Sequence, residues 1–204
     1  MEKRITKTSV LMVVVIGLMM IQCGCGGVKM TRTGFLSDYS RLRAKTDDSM
    51  VFVDDAALDR YDGFIVDPVQ THFLHVSEYG RELTPQQISD LKNYMHGKFI
   101  EAVRKAGKQV ASQPAKGVAK IRAALTDIKK TDLVNILPVA SLAGSGVGGA
   151  SIELEIVDSK TGKQVAAAIE SKEGSRIPLT NMGDWTAAKG VMNNWAERLQ
   201  KRLQ

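Results

Sequence analysis

The chain has 204 residues, with 28 lysines and arginines against 22 acidic residues, a formal charge of +6 and 44% hydrophobic residues. This length suits one domain with its own core, and the charges alternate in sign along most segments, without the one-sided basic clustering and aromatic platforms of a nucleic-acid binder. Only Cys23 and Cys25 carry thiols, so nothing beyond them can build a disulfide framework.

Lys3, Arg4 and Lys7 precede an apolar run from Val10 to Ile21, which ends in Cys23-Gly24-Cys25-Gly26-Gly27. A basic start, a short apolar stretch and small residues at its exit match a secretory signal, whereas a spanning helix needs about 20 apolar residues. The exit resembles a bacterial lipoprotein signal, in which small residues precede a cysteine that takes a diacylglycerol and becomes the new N-terminus. Gly24 favours Cys25, although Gln22 stands at its usual aliphatic place. Cys23 is the alternative, with Met20 at the aliphatic place but Gln22 adjacent. An uncleaved anchor or an ordinary secretory signal would need no cysteine, but no Ala-x-Ala-like site lies nearby. Residues 1–24 are therefore read as the signal peptide, 25–33 as a tether and 34–204 as one domain. Several acyl chains, palmitate among them, would hold such a protein stably at about 0.8 kcal/mol per buried methylene. Gly26 in place of aspartate points, by the sorting rule of well-studied lipoproteins, to the periplasmic face of the outer membrane. Losing Glu2, Lys3, Arg4 and Lys7 leaves +4, a charge suited to solubility or to weak attraction for anionic lipid or cell-wall polymer.

After the tether, Phe35, Tyr39 and Leu42 recur at helical spacing and predict one turn docked on the core. Met50–Val53 reads as a short strand and Ala56–Tyr61 as a brief helix or turn. Gly63–Phe73 is the first strong strand, with Pro68 placing it at an edge or bending it. Thr84, Pro85 and Gln87 spell a helix entry with a capping box. The stripe Ile88, Leu91, Met95, Phe99, Ala102 and Val103 then runs on until Gly107 stops it. Lys108–Ser112 is a short strand. Val118–Lys130 fits either period: Val118, Ile121, Leu125 and Ile128 line a helix face, while Ala119, Ile121, Ala123 and Leu125 alternate as in a strand. Leu133–Leu142 is apolar but broken by Pro138, and Ala143–Gly149 is glycine-rich. Ser151–Val157 and Lys163–Glu170 form a hairpin around Asp158–Gly162, with Ile152, Leu154 and Ile156 on a buried face and Glu153 and Glu155 on a wet one. A final helix runs from about Asp184 to Leu203, and its apolar face carries Trp185, Ala188, Met192, Trp195 and Leu199. The expected fold is α/β of the α+β type, an antiparallel or mixed sheet with two main helices on one face.

Motifs for chemistry are weak. Gly144-Ser145-Gly146-Val147-Gly148-Gly149 spells the glycine pattern of a dinucleotide-binding turn, but a strand follows where a helix N-terminus is needed. His72 and His75 fall on opposite faces of a strand, and His96 lies on a polar helix side, so no metal site is expected. Asp54, Asp55, Asp62 and Asp67 supply carboxylates, whose default role is capping turns. No catalytic or cofactor residues are assigned.

The runs Thr33–Leu42, Tyr61–Val69, Ile121–Ile128 and Glu153–Gly162, with a tryptophan-bearing helix beyond, resemble in order a family of Gram-negative lipoproteins known as domain of unknown function 3313. The resemblance implies a lipid-anchored envelope protein without assigned activity, cofactor or catalytic residues, and it favours the strand reading of Val118–Lys130. The expected function is a non-enzymatic binding or structural module with an envelope protein or cell-wall partner, besides the membrane holding its anchor. The alternatives are a periplasmic hydrolase using the acids from Asp54 to Asp67, and a small-ligand carrier with an apolar cavity between helix and sheet.

Overall fold

The two segments with the cleanest alternation form the centre of a mixed sheet in the computed structural model, which describes residues 30, 32–73, 83–129, 148–173 and 185–204. In chain order the elements are β1 (Arg43–Thr46), β2 (Ser49–Val53), α1 (Asp55–Leu58), β3 (Gly63–Val66), β4 (Gln70–Thr71), α2 (Pro85–Lys105), β5 (Gln109–Val110), β6 (Val118–Lys129), β7 (Gly149–Asp158), β8 (Gln164–Glu173) and α3 (Thr186–Leu203). The strand order is β1-β2-β8-β7-β6-β3-β5, with β4 also paired to β6. Pairs from β1 through β6 are antiparallel, whereas β3, β4 and β5 join in parallel.

The ambiguous segment is a strand. β6 takes partners on both edges, β7 on one and, as far as Leu125, β3 with β4 on the other, which gives its backbone polar groups the partners a helix would otherwise supply. Ala119, Ile121, Ala123 and Leu125 face the helices, and a bulge between Leu125 and Asp127 resets the phase so that Ile128 does too. Pro68 breaks the expected long strand in two. Val66 pairs with Ile121 and Gln70 with Ala124, so β3 and β4 follow one edge of β6 with an extra residue between them.

Local signals account for α2. Thr84 Oγ1 accepts from the Gln87 N–H at 3.2 Å, and Gln87 Oε1 accepts from the Thr84 N–H at 2.9 Å. Gly107 ends the helix at φ 77°, a conformation that penalises a Cβ. Leu91, Met95, Phe99, Ala102 and Val103 of α2, with Ala188, Met192, Trp195 and Leu199 of α3, meet Phe64, Ile121, Leu125, Ile152 and Ile156 of the sheet. Burying each of the larger side chains stabilises by about 1.5–3 kcal/mol. Trp195 is buried in this cluster and Trp185 is half-buried at its rim.

Residues 34–42 form no helical turn. Phe35 and Leu42 are buried and Tyr39 packs beside them as expected, joined by Leu36, but the segment is an irregular strap lying on the sheet face away from the helices. Leu133–Leu142 and most of the glycine-rich run lie outside the described residues, where only Gly148 and Gly149 are seen, the latter opening β7.

Candidate functional site

Glu153 and Glu155 point away from the helices, as the alternation predicts, yet both are 0% exposed. The face expected to be wet is covered by residues 32–42. Glu153 Oε1 accepts from the Thr33 N–H at 2.6 Å and Oε2 from the Tyr39 hydroxyl at 2.5 Å. The Tyr39 oxygen in turn accepts from the N–H groups of Gly34 (2.9 Å) and Leu36 (3.1 Å). Glu155 Oε2 accepts from the Ser37 N–H (2.9 Å), the Ser37 hydroxyl (2.7 Å) and the Gln164 amide (2.9 Å), and Oε1 from Arg122 (2.5 Å). Charge-assisted bonds of this kind are about twice as strong as neutral ones. Burial, then the hydrogen bond to Glu153, raises the Tyr39 pKa above the ordinary phenol value.

Apolar packing completes the cover. Phe35, Leu36 and Leu42 close over Ala124, Ala167 and Ile169. The Arg122 guanidinium stacks 5.2 Å from the Phe35 ring, and that of Arg41 sits 4.0 Å from Phe52, contacts that add cation–π attraction. Every oxygen of the two carboxylates thus accepts at least one hydrogen bond, and what the cluster does chemically is seat the strap. Sequence reasoning passed over these two acids because their covering donors lie more than 110 positions away.

The residues singled out for catalysis do not converge. Asp54 Oδ1 caps α1 by accepting from the Ala57 N–H at 3.0 Å, Asp55 pairs with Arg202 at 2.7 Å, Asp62 lies 3.5 Å from Lys108 and Asp67 lies 3.9 Å from Lys120. Each carboxylate has its own partner rather than a shared cleft. His72 Nε2 is 3.3 Å from Gln70 Oε1, and the half-buried His96 donates to the Val66 carbonyl at 3.1 Å. His75, Cys23 and Cys25 lie outside the described residues. Among the described residues no three His, Cys, Asp or Glu side chains gather as metal ligands.

A cavity of about 200 Å³ opens between α2 and α3, where Lys98, Glu101, Lys105 and Glu197 rim a floor of Ala102 and Ala196. Hydrogen bonds from Lys105 and Lys98 hold the Glu101 pKa down at about 2. This polar groove lies between the helices, not between helix and sheet where a carrier would need apolar space.

The family model described as a protein of unknown function (DUF3313) matches residues 31–199. The chain belongs to that family. The DUF3313 match begins just before the strap and ends within α3, so the strap lies inside the family's domain. No curated protein matches the chain. Among solved structures it resembles the PelC dodecamer from Paraburkholderia phytofirmans at 14% identity and TM-score 0.45, over 71% of this chain and 90% of that one. It also resembles the hypothetical protein CT253 from Chlamydia trachomatis at 13% identity and TM-score 0.40, over 70% of this chain and 93% of that one.

Proposed function

We propose that the protein is a lipid-anchored envelope module, held through Cys25 on the periplasmic face of the outer membrane, that binds or organises another envelope component rather than catalysing a reaction. The observation that carries the reading is the seating of the strap directly behind the cysteine motif. Met30 already packs against the strap's apolar cluster and Thr33 is fixed to Glu153, so only residues 26–29 separate Cys25 from the folded body. Four residues at about 3.5 Å each reach about 14 Å. A chain that commits a family-wide segment and two buried carboxylates to closing the gap to its anchor is suited to working close to a membrane. The scattered, individually partnered acids favour the non-enzymatic reading over a hydrolase.

Labelling cells with a fatty-acid analogue tests the anchor. Loss of label and of membrane retention in Cys25→Ser, with both kept in Cys23→Ser, is the expected result. The reverse pattern transfers the anchor to Cys23, and label-free membrane retention of the double variant sinks lipid anchoring altogether.

A further inference from the structure

The two ends of the sheet differ in charge. At one end the β7–β8 turn, the start of β6, α1 and the last turns of α2 and α3 come together. They are tied by the Tyr61 hydroxyl to Asp158 (3.0 Å), the Ser159 N–H to the Val118 carbonyl (3.1 Å), Lys108 to the Tyr61 carbonyl (3.0 Å) and Arg202 to Asp55 (2.7 Å). The segments that build it, 54–62, 104–117, 158–163 and 201–204, carry nine cations and five acids. The remaining described residues carry twelve of each, so the net positive charge of the described domain resides at this end.

The acids there are largely turned to structural use. Asp54 caps α1, Asp55 pairs with Arg202, and Asp158 holds the turn by accepting from the Thr161 N–H at 2.7 Å and the Lys160 N–H at 3.1 Å. By contrast Arg104, Lys116, Lys160, Lys163 and Lys201 are exposed and pair with no acid among the described residues. Cations in the last turns of α2 and α3 complement the helix dipoles, which explains Arg104 and Lys201 without a partner. Lys116, Lys160 and Lys163 stand in turns, where no such explanation applies. The strap gives this end a direction. Read toward the N-terminus, it passes from Gln164 at the start of β8 to Glu155 and then Glu153, so Thr33, where the strap begins, lies toward the opposite end.

We infer that this cationic end is an electrostatic docking surface for the carboxylate-bearing glycan polymer of the cell wall. The identity of the polymer rests on the envelope reading above; the charge asymmetry does not. The cations stand on separate turns with no exposed aromatic platform among the described residues of this end, since Tyr61 is buried against Asp158. That arrangement suits diffuse attraction to a repeating polyanion and not base stacking.

The test is cosedimentation of the full chain, in detergent micelles, with purified cell-wall sacculi at about 50 mM and about 500 mM salt, where screening shortens severalfold. Binding at low salt and release at high salt is expected. The triple variant Lys116→Gln, Lys160→Gln, Lys163→Gln binds about tenfold or more weaker, as expected for cations near an anionic surface. The control Lys45→Gln, Lys92→Gln, Lys189→Gln stays within about twofold of the parent on the same reasoning, with matching melting curves for both variants. Equal loss in the two triples, salt-insensitive binding, absent sedimentation, or preference for anionic lipid vesicles over sacculi each overturns the inference. Sacculus binding without fatty-acid label sinks the anchor alone, and label without sacculus binding sinks this surface alone.

Discussion

Truncating Glu155 to alanine probes whether the strap is part of the folded core. The native carboxylate takes four donors, from Ser37 twice, Gln164 and Arg122. Alanine leaves the Ser37 N–H, the Gln164 amide and the Arg122 guanidinium without their acceptor in a site that is otherwise closed. Removing one member of a buried, hydrogen-bonded charge pair costs about 3–5 kcal/mol. Arg122 is 32% exposed, so water recovers part of its loss and the lower figure, about 3 kcal/mol, is expected. In a domain of this size each kcal/mol moves the thermal midpoint by about 2–4 °C, so the variant should melt about 6–12 °C lower. Glu155→Gln keeps the shape and one acceptor, and should lose less than half as much. The assay is thermal unfolding followed by circular dichroism, on the chain made without residues 1–27. A midpoint within about 2 °C of the parent for Glu155→Ala would mean a solvated surface acid, where substitutions change stability by about 0.5 kcal/mol or less, and would refute the buried clamp.

Trp195→Ala should cost about 3–5 kcal/mol because its ring is in the core, while Trp185→Ala at the half-buried rim should cost clearly less; equal, near-parental midpoints by the same thermal assay would dismiss α3 docking through these rings. Burial, then the hydrogen bond to Asp158, pushes the Tyr61 pKa from 10.0 up to about 12. The fold therefore favours the neutral phenol, and this contribution to stability is complete below pH 10 and lost as pH rises toward about 12. A tyrosinate absorbance titration should show a late-ionising ring that disappears in Tyr61→Phe, and an unchanged curve counts against the buried pair.

Much of the architecture was legible because its causes are local. The Thr84–Gln87 box, the α2 stripe and the Ser151–Glu170 hairpin each lie within a few turns of chain, and their positions agree with the structure. Alternation also told correctly that Glu153 and Glu155 share a face. It could not tell what covers that face, because a period of two reports direction, whereas burial depends on the segment that arrives from elsewhere. Phe35, Tyr39 and Leu42 suggested a helical turn, yet their spacing serves an irregular crossing, since the N–H groups of Thr33 and Ser37 and the Tyr39 hydroxyl go to carboxylates on β7, and those of Gly34 and Leu36 to the Tyr39 oxygen, instead of to helical carbonyls. Val118–Lys130 carried both periods, and the choice fell to the open strand edges on either side of it, β7 along nearly its whole length and β3 with β4 as far as Leu125. Local chemistry along the chain sets which stretches pair, cap and turn. That Glu153 and Glu155 lie inside follows from long-range packing, because burying a carboxylate is tolerable only where enough donors converge on it, and that convergence is a property of the folded chain.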